Sequence, residues 1–165
     1  MRVPLPRALT ARQTSRLPFT FIFERHIHTS TPKMVQYVTG EELVEIIRSD
    51  KVPSKDYLIV DVRDADYRGG NIKGSFHLPS EKFEQNVQGL VSKTKDVPLV
   101  IFHCALSQAR GPKAARDYEN IRNAADGVSP AEVYILRGGF TQWQRRYKDH
   151  ADLVENYDAA VWKYY

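Results

Sequence analysis

A chain of 165 residues with 42% apolar and 27% charged side chains has the size and composition of one soluble α/β domain with its own core. Its single cysteine excludes an intrachain disulfide and a multi-cysteine zinc site, and no apolar run approaches the ~18 residues that cross a bilayer. The net charge of +4 argues for no nucleic-acid surface, because it belongs to one end of the chain.

Residues 1–33 carry Arg2, Arg7, Arg12, Arg16, Arg25 and Lys33 against Glu24 alone, leaving 18 basic and 19 acidic side chains for residues 34–165. A leader rich in Arg, Ser and Thr and almost free of acids describes a mitochondrial transit peptide. Its apolar stretch Leu17–Phe23 is short and interrupted by Pro18 and Thr20, which argues against a secretory signal. The competing reading is a disordered basic tail. Met34 precedes the start of the folded pattern, so initiation there gives a cytoplasmic or nuclear form. The expectation is a leader over 1–33 and a catalytic domain with a C-terminal tail over 34–165.

In chain order, 36–38 reads as a brief edge strand. Thr39 caps the next helix, with Glu42 completing a capping box and Leu43, Ile46 and Ile47 forming the apolar face. Residues 57–62 are a near-continuous apolar run, as expected for a strand covered on both faces. In the segment that follows, Asp61 is expected to pair with Arg63 and tie down the loop, while Asp64 and Asp66 are expected to be solvated charges. Ser80 is expected to cap a helix over 80–91 with Phe83 and Val87 facing inward. A strand over 98–102 and a helix over 113–122, with Pro112 in its first turn, bracket a tight loop. After a turn at 127–130, a strand over 132–136 leads through Gly138 and Gly139 into a helix carrying Trp143, read as a core residue. The aromatic-rich tail 151–165 is expected to dock on its own domain in preference to a twin chain.

The chemistry concentrates in the loop His103-Cys104-Ala105-Leu106-Ser107-Gln108-Ala109-Arg110-Gly111-Pro112. A thiol placed where a strand ends and a helix begins meets a row of backbone N–H groups and the positive end of the helix, which favour an anion and a thiolate. Arg110 adds a planar fork of donors that matches two oxygens of a tetrahedral oxyanion. The Ser107 hydroxyl is expected to reach the cysteine sulfur, and His103 to order the loop. The bland alternative, a lone cysteine acting as a small buried hydrophobe, is outweighed by this setting.

That loop resembles the active loop of the Cdc25-like branch of the rhodanese superfamily, which holds dual-specificity phosphatases and eukaryotic arsenate reductases. Two more segments carry the likeness, which spans roughly residues 36–147: the run from Asp61-Val62-Arg63 through Gly70-Asn71-Ile72-Lys73-Gly74, and the turn Leu136-Arg137-Gly138-Gly139-Phe140. Asn71 stands where many members have histidine. The resemblance implies a rhodanese-like three-layer α/β/α fold with a mostly parallel sheet of about five strands.

For function it implies a cysteine-dependent phosphatase. Cys104 attacks phosphorus, Arg110 and the amides of Ala105, Leu106, Ser107, Gln108, Ala109 and Arg110 hold the oxygens, and His103, Asp61 and Arg137 support them. The expected substrates are a phosphorylated protein or a small phosphate or arsenate, taken without a metal, cofactor, nucleic acid or membrane, by a monomer or homodimer. Five residues between Cys104 and Arg110 make a ring wider than the typical sulfurtransferase loop. Arsenate reduction with glutathione and glutaredoxin is the close alternative, since no second cysteine is present to resolve an oxidised Cys104. Thiosulfate sulfurtransfer and a non-catalytic binding module remain further alternatives. The loops of the mitotic phosphatases carry acids where Ala105 and Ala109 stand here, which speaks against shared protein substrates.

Overall fold

The computed structural model describes residues 36–163, so the reading of the leader lies outside the described residues. Along the chain run β1 (Gln36–Val38), α1 (Gly40–Arg48), β2 (Leu58–Asp61), a 3-10 turn (Ala65–Tyr67), β3 (Asn71–Ile72), β4 (Phe76–His77), α2 (Ser80–Lys93), β5 (Leu99–His103), α3 (Arg110–Ala124), β6 (Glu132–Leu136), α4 (Gly139–Tyr147), β7 (Val154–Glu155) and α5 (Ala159–Trp162). Among the described residues, five strands form one parallel sheet in the order β1-β6-β5-β2-β4, and β3 and β7 form a small antiparallel pair. The expected edge strand is β1, at one end of that order. The fold is the three-layer α/β/α arrangement with a parallel five-stranded sheet that the resemblance implied.

Alternation along the central strands builds the two outer layers. Leu58, Val60, Val100, Phe102, Val133 and Ile135 face α2 and α3, meeting Phe83, Val87, Leu90, Ala115 and Tyr118. Ile59, Ile101 and Leu136 face the other way, against Leu43 of α1 and Phe140 and Trp143 of α4. Burial of each large side chain stabilises by about 1.5–3 kcal/mol, which is why strands sandwiched between helices read as unbroken apolar runs. Trp143, expected in the core, is there, and its Nε1 donates to the Leu153 carbonyl at 3.2 Å.

The helix starts show one success and one correction. Thr39 caps α1 in a complete capping box, its Oγ1 accepting from Glu42 N at 3.2 Å while Glu42 Oε2 accepts from Thr39 N at 2.8 Å. Ser80 does not cap α2: the cap position is Pro79, and Ser80 is the first helical residue. The cap comes from elsewhere. Asp64 Oδ1 accepts the Glu81 N–H at 3.1 Å, and Asp64 Oδ2 accepts the Ser80 hydroxyl at 2.6 Å. A carboxylate there also faces the positive end of the helix.

The tail docks on its own domain. Asn71 donates through Nδ2 to Glu155 Oε1 at 2.9 Å, and Asn156 Nδ2 donates to Asn71 Oδ1 at 3.0 Å. Trp162 Nε1 then donates to the Gly69 carbonyl at 2.7 Å. A Cβ on Gly69 would lie 2.6 Å from that indole nitrogen, so the close approach of the tail requires glycine here. No helix among the described residues is long and apolar enough to cross a membrane.

Candidate active site

Parallel strands put their carboxyl ends on one edge of the sheet, and there β5 delivers Cys104 directly ahead of α3. The helix begins at Arg110, three residues before the helical run that the sequence suggested, so the loop is closed by the first turn of α3 itself. The turn lies against the strand end at Gly111, where a Cβ would make ordinary contact with Cys104 N at 3.4 Å.

Within the loop, Ser107 adopts a left-handed φ of 54°, uncommon for a residue with a side chain. That turn swings its N–H onto the thiol, donating to Cys104 Sγ at 3.3 Å. The Ser107 hydroxyl was expected on the sulfur. It instead accepts from Cys104 N at 3.4 Å, so amide and hydroxyl have exchanged the anticipated roles. Leu106 stands exposed at the crest of the loop, with Gln108 and Ala109 exposed beside it.

The glycine pair before α4 grips the loop from behind. Gly138 and Gly139 have φ of 74° and 57°, and a Cβ on Gly139 would lie 2.4 Å from the Cys104 carbonyl oxygen. Phe140 N and Thr141 N donate to the carbonyls of Cys104 and Ala105, each at 2.9 Å. In a trans peptide the N–H points opposite to the C=O, so these two bonds turn the N–H groups of Ala105 and Leu106 away from α4.

Beneath the loop lies a fully buried group. Arg63 donates from Nε and Nη2 to the Asp61 carboxylate at 2.6–3.0 Å, and from Nη2 to the Gly70 carbonyl at 2.8 Å. Its guanidinium also lies 4.0 Å from the centre of the Phe140 ring. Burial pushes the Asp61 carboxyl up, but the hydrogen bonds and positive charge of Arg63 outweigh it and hold the group below its ordinary range. His103 is fully buried, its Nδ1 3.3 Å from the Cys104 carbonyl and its Nε2 3.7 Å from Asp61 Oδ2. Burial lowers the His103 pKa against the opposing pull of Asp61, so the imidazole is held neutral. The expected pairing of Asp61 with Arg63 is what the geometry displays, and His103 lies buried between Asp61 and the Cys104 carbonyl.

Arg110 has partners that the sequence did not suggest. Its Nη1 donates to Asp64 Oδ2 at 2.9 Å and Asp66 Oδ1 at 2.8 Å, and its Nη2 donates to Asp66 Oδ2 at 2.5 Å. Asp64 and Asp66 are therefore not solvated charges; they form a carboxylate clamp on the loop arginine. Asp66 first and then Asp64 raise the Arg110 pKa further, and hydrogen bonding to Arg110 lowers that of Asp66. The partners are 46 and 44 positions from the arginine, so no local spacing announces them.

Arg137 is placed elsewhere. Its guanidinium lies 5.3 Å from the centre of the Tyr37 ring on the edge strand β1, and it does not line the cavity beside the loop. The glycine turn carries its backbone near the site and sends its side chain away.

Beside the loop is a cavity of about 230 Å³ lined by Ala65, Asp66, Arg68, Ala105, Thr141, Val161 and Trp162. The tail residues Val161 and Trp162 are part of that lining. A larger cavity of about 440 Å³ opens against β1, β5 and β6 and includes Leu99 and Glu132, at the strand ends opposite to Cys104.

Comparison with known proteins agrees with this fold. Residues 39–146 match the model of the rhodanese-like domain. The chain is 42% identical to the dual specificity phosphatase ibp1 of Schizosaccharomyces pombe over 116 residues, covering 59% of this chain and 81% of that protein. It is 34% identical to arsenate reductase 2.2 of Oryza sativa subsp. japonica, covering 67% of this chain and 82% of that one. Among solved structures, Ygr203w, described as a yeast protein tyrosine phosphatase of the rhodanese family, superposes with a TM-score of 0.66 at 30% identity, covering 80% of this chain and 99% of its own.

Proposed function

Since the chain belongs to the rhodanese-like family, with both phosphatases and arsenate reductases among its relatives, we propose that it is a cysteine-dependent phosphatase acting on phosphate monoesters. The observation that carries the reading is the clamp on Arg110. A guanidinium at the start of α3 already binds both oxygens of one carboxylate, an arrangement that a phosphate reproduces with two of its own oxygens. Exchange of the Asp66 carboxylate for substrate leaves Asp64 in place, held by Ser80 and Glu81.

Phosphate enters with its oxygens on Arg110 and the loop amides. The Cys104 sulfur attacks phosphorus, the S–P bond forms as the P–O ester bond breaks, and the alkoxide leaves, taking its proton from solvent. Water then attacks phosphorus, the S–P bond breaks, and inorganic phosphate and the thiolate are released. The Ser107 N–H donates to the sulfur and stabilises the thiolate, while the amides of Ala105 and Leu106, turned away from α4, are assigned to the phosphoryl oxygens. Asp61, Arg63 and His103 hold the floor of the loop. Before substrate enters, the hydrogen bonds to Arg110 hold the Asp66 carboxyl below its ordinary range.

The similarity to a plant arsenate reductase favours a second reading on the same loop. There the thiolate bonds to arsenic as an arsenate oxygen leaves as water, and glutathione attacks the Cys104 sulfur, breaking the S–As bond with its electron pair passing to arsenic. Arsenic(V) leaves as arsenic(III), taking two electrons from the two thiols, and a second glutathione resolves the mixed disulfide.

The test assays the full chain and Cys104→Ser with an aryl phosphate, and with arsenate plus glutathione, glutaredoxin and NADPH. Hydrolysis that vanishes in the variant, without arsenate-dependent NADPH loss, is the expected result. Arsenate-dependent NADPH loss without hydrolysis moves the assignment to the second reading, and hydrolysis that survives in Cys104→Ser contradicts the cysteine mechanism.

A further inference from the structure

We propose that the cavity walled by the C-terminal segment is an aryl-binding pocket, so that Val161, Trp162 and Ala65 give the enzyme a preference for aromatic over alkyl phosphate esters. The proposal rests on the reading that phosphate sits on the loop between Cys104 and Arg110.

Position comes first. The cavity touches Ala105, the residue after the thiol, and Asp66, the residue that holds Arg110, so an ester group on a loop-bound phosphate has this space beside it. Size comes second. About 230 Å³ is available, whereas a cavity of ~150 Å³ already takes a benzene ring.

Chemistry comes third. The Trp162 indole, the Val161 side chain and the methyls of Ala65 and Ala105 are apolar, while Arg68, Asp66 and Thr141 supply polar groups among the same lining residues. An aromatic ring gains from stacking on an indole; a short alkyl ester has little to place there. Arg68 also suits an acidic group flanking the phosphorylated ring.

The wall is built, not incidental. Trp162 is fixed by its bond to the Gly69 carbonyl and lies 5.7 Å from the Phe140 ring centre. Asp158 caps the short α5 through Ala160 N at 2.9 Å, and Gly69 provides the close approach. The tail is thereby set at a defined distance from the loop.

Calorimetric titration of the full chain with phenylphosphonate and with methylphosphonate tests this without any turnover. The expected result is phenylphosphonate binding tighter by about five- to tenfold, the order contributed by one aromatic contact. That ratio falls toward one in Trp162→Ala, which removes the wall. It also falls in Ala65→Phe, which fills the space with a larger lining side chain and leaves the bond of Trp162 to Gly69 in place.

Equal affinities in the wild-type chain overturn the proposal, and so does a ratio that persists in Ala65→Phe. The outcomes separate it from the reading beneath it. Methylphosphonate that binds and is lost in Arg110→Ala, with no gain from the phenyl group, removes the aryl pocket alone. Methylphosphonate that fails to bind at all removes the oxyanion loop and the pocket together.

Discussion

Two aspartate–arginine groups sit within one loop of each other and have opposite characters. Asp61 and Arg63 are fully buried, with the guanidinium also fixed by the Gly70 carbonyl and the Phe140 ring. Arg110 and Asp66 are each about one-third exposed, and the guanidinium donates to the carboxylates of Asp64 and Asp66. A buried pair cannot be opened without leaving a charge in the core, whereas a pair at a cleft mouth exchanges one anion for another at little cost. The first group is a foundation and the second is a working contact. Similar chemistry is divided between them by solvent access alone.

The largest effect should come from breaking the foundation. Arg63→Met leaves Asp61 buried without its cation, and a loss of about 3–5 kcal/mol in denaturant-unfolding stability is expected. A loss under about 1 kcal/mol would mean that the pair is no more than a surface contact.

Next in size is the working contact. Arg110→Lys keeps the charge and loses the fork, so kcat/KM for an aryl phosphate should fall about a hundredfold with the unfolding midpoint nearly unmoved. An equal fall in stability would place Arg110 with Arg63.

The floor should also register in the pH dependence of stability. Because burial depresses the folded pKa of His103, the unfolded chain takes up that proton first as pH falls below its unfolded value near ~6.5. Stability is therefore full above that value and declines below it, by up to ~1.4 kcal/mol per pH unit, until the folded pKa is reached. Asp61 has a depressed folded pKa as well, and its contribution is lost only in more acidic solution, below the unfolded value near ~3.9. Denaturant curves from neutral to mildly acidic pH should show the first decline, and His103→Gln should flatten it. A wild-type curve with no decline there would contradict the neutral assignment.

The smallest predicted effect is a gain. Asp66→Asn removes the carboxylate that competes for Arg110, so inorganic phosphate should inhibit about two- to fivefold more strongly. Weaker inhibition would show that Asp66 positions Arg110 and does not compete with the anion.

The same contrast explains what the sequence disclosed. Asp61 and Arg63 are two residues apart on one strand end, and their pairing was legible because the chain itself brings them together. The loop from His103 to Pro112 was legible for that reason, as were the glycine turn at 138–139 and the alternating cores. What depends on distant segments was not. The clamp of Asp64 and Asp66 on Arg110, the capping of α2 by Asp64 in place of Ser80, and the wall made by Trp162 all join residues far apart in sequence. Arg137 was misjudged for a related reason. A turn can be placed from its glycines, but the direction of a long side chain is set by what it packs on, here Tyr37. Ser107 shows the same limit within four residues, since its left-handed backbone decides whether amide or hydroxyl meets the sulfur.

The central claim is that Cys104 takes the phosphoryl group while Arg110 holds it. The most direct measurement mixes the full chain with an aryl phosphate, quenches in acid during turnover, and locates the added mass by peptide mass spectrometry. One phosphoryl group on Cys104, absent from Cys104→Ser and sharply reduced in Arg110→Lys, is the predicted result. Continued turnover with Cys104 unmodified at every quench time, or a phosphoryl group on another residue, would contradict the account.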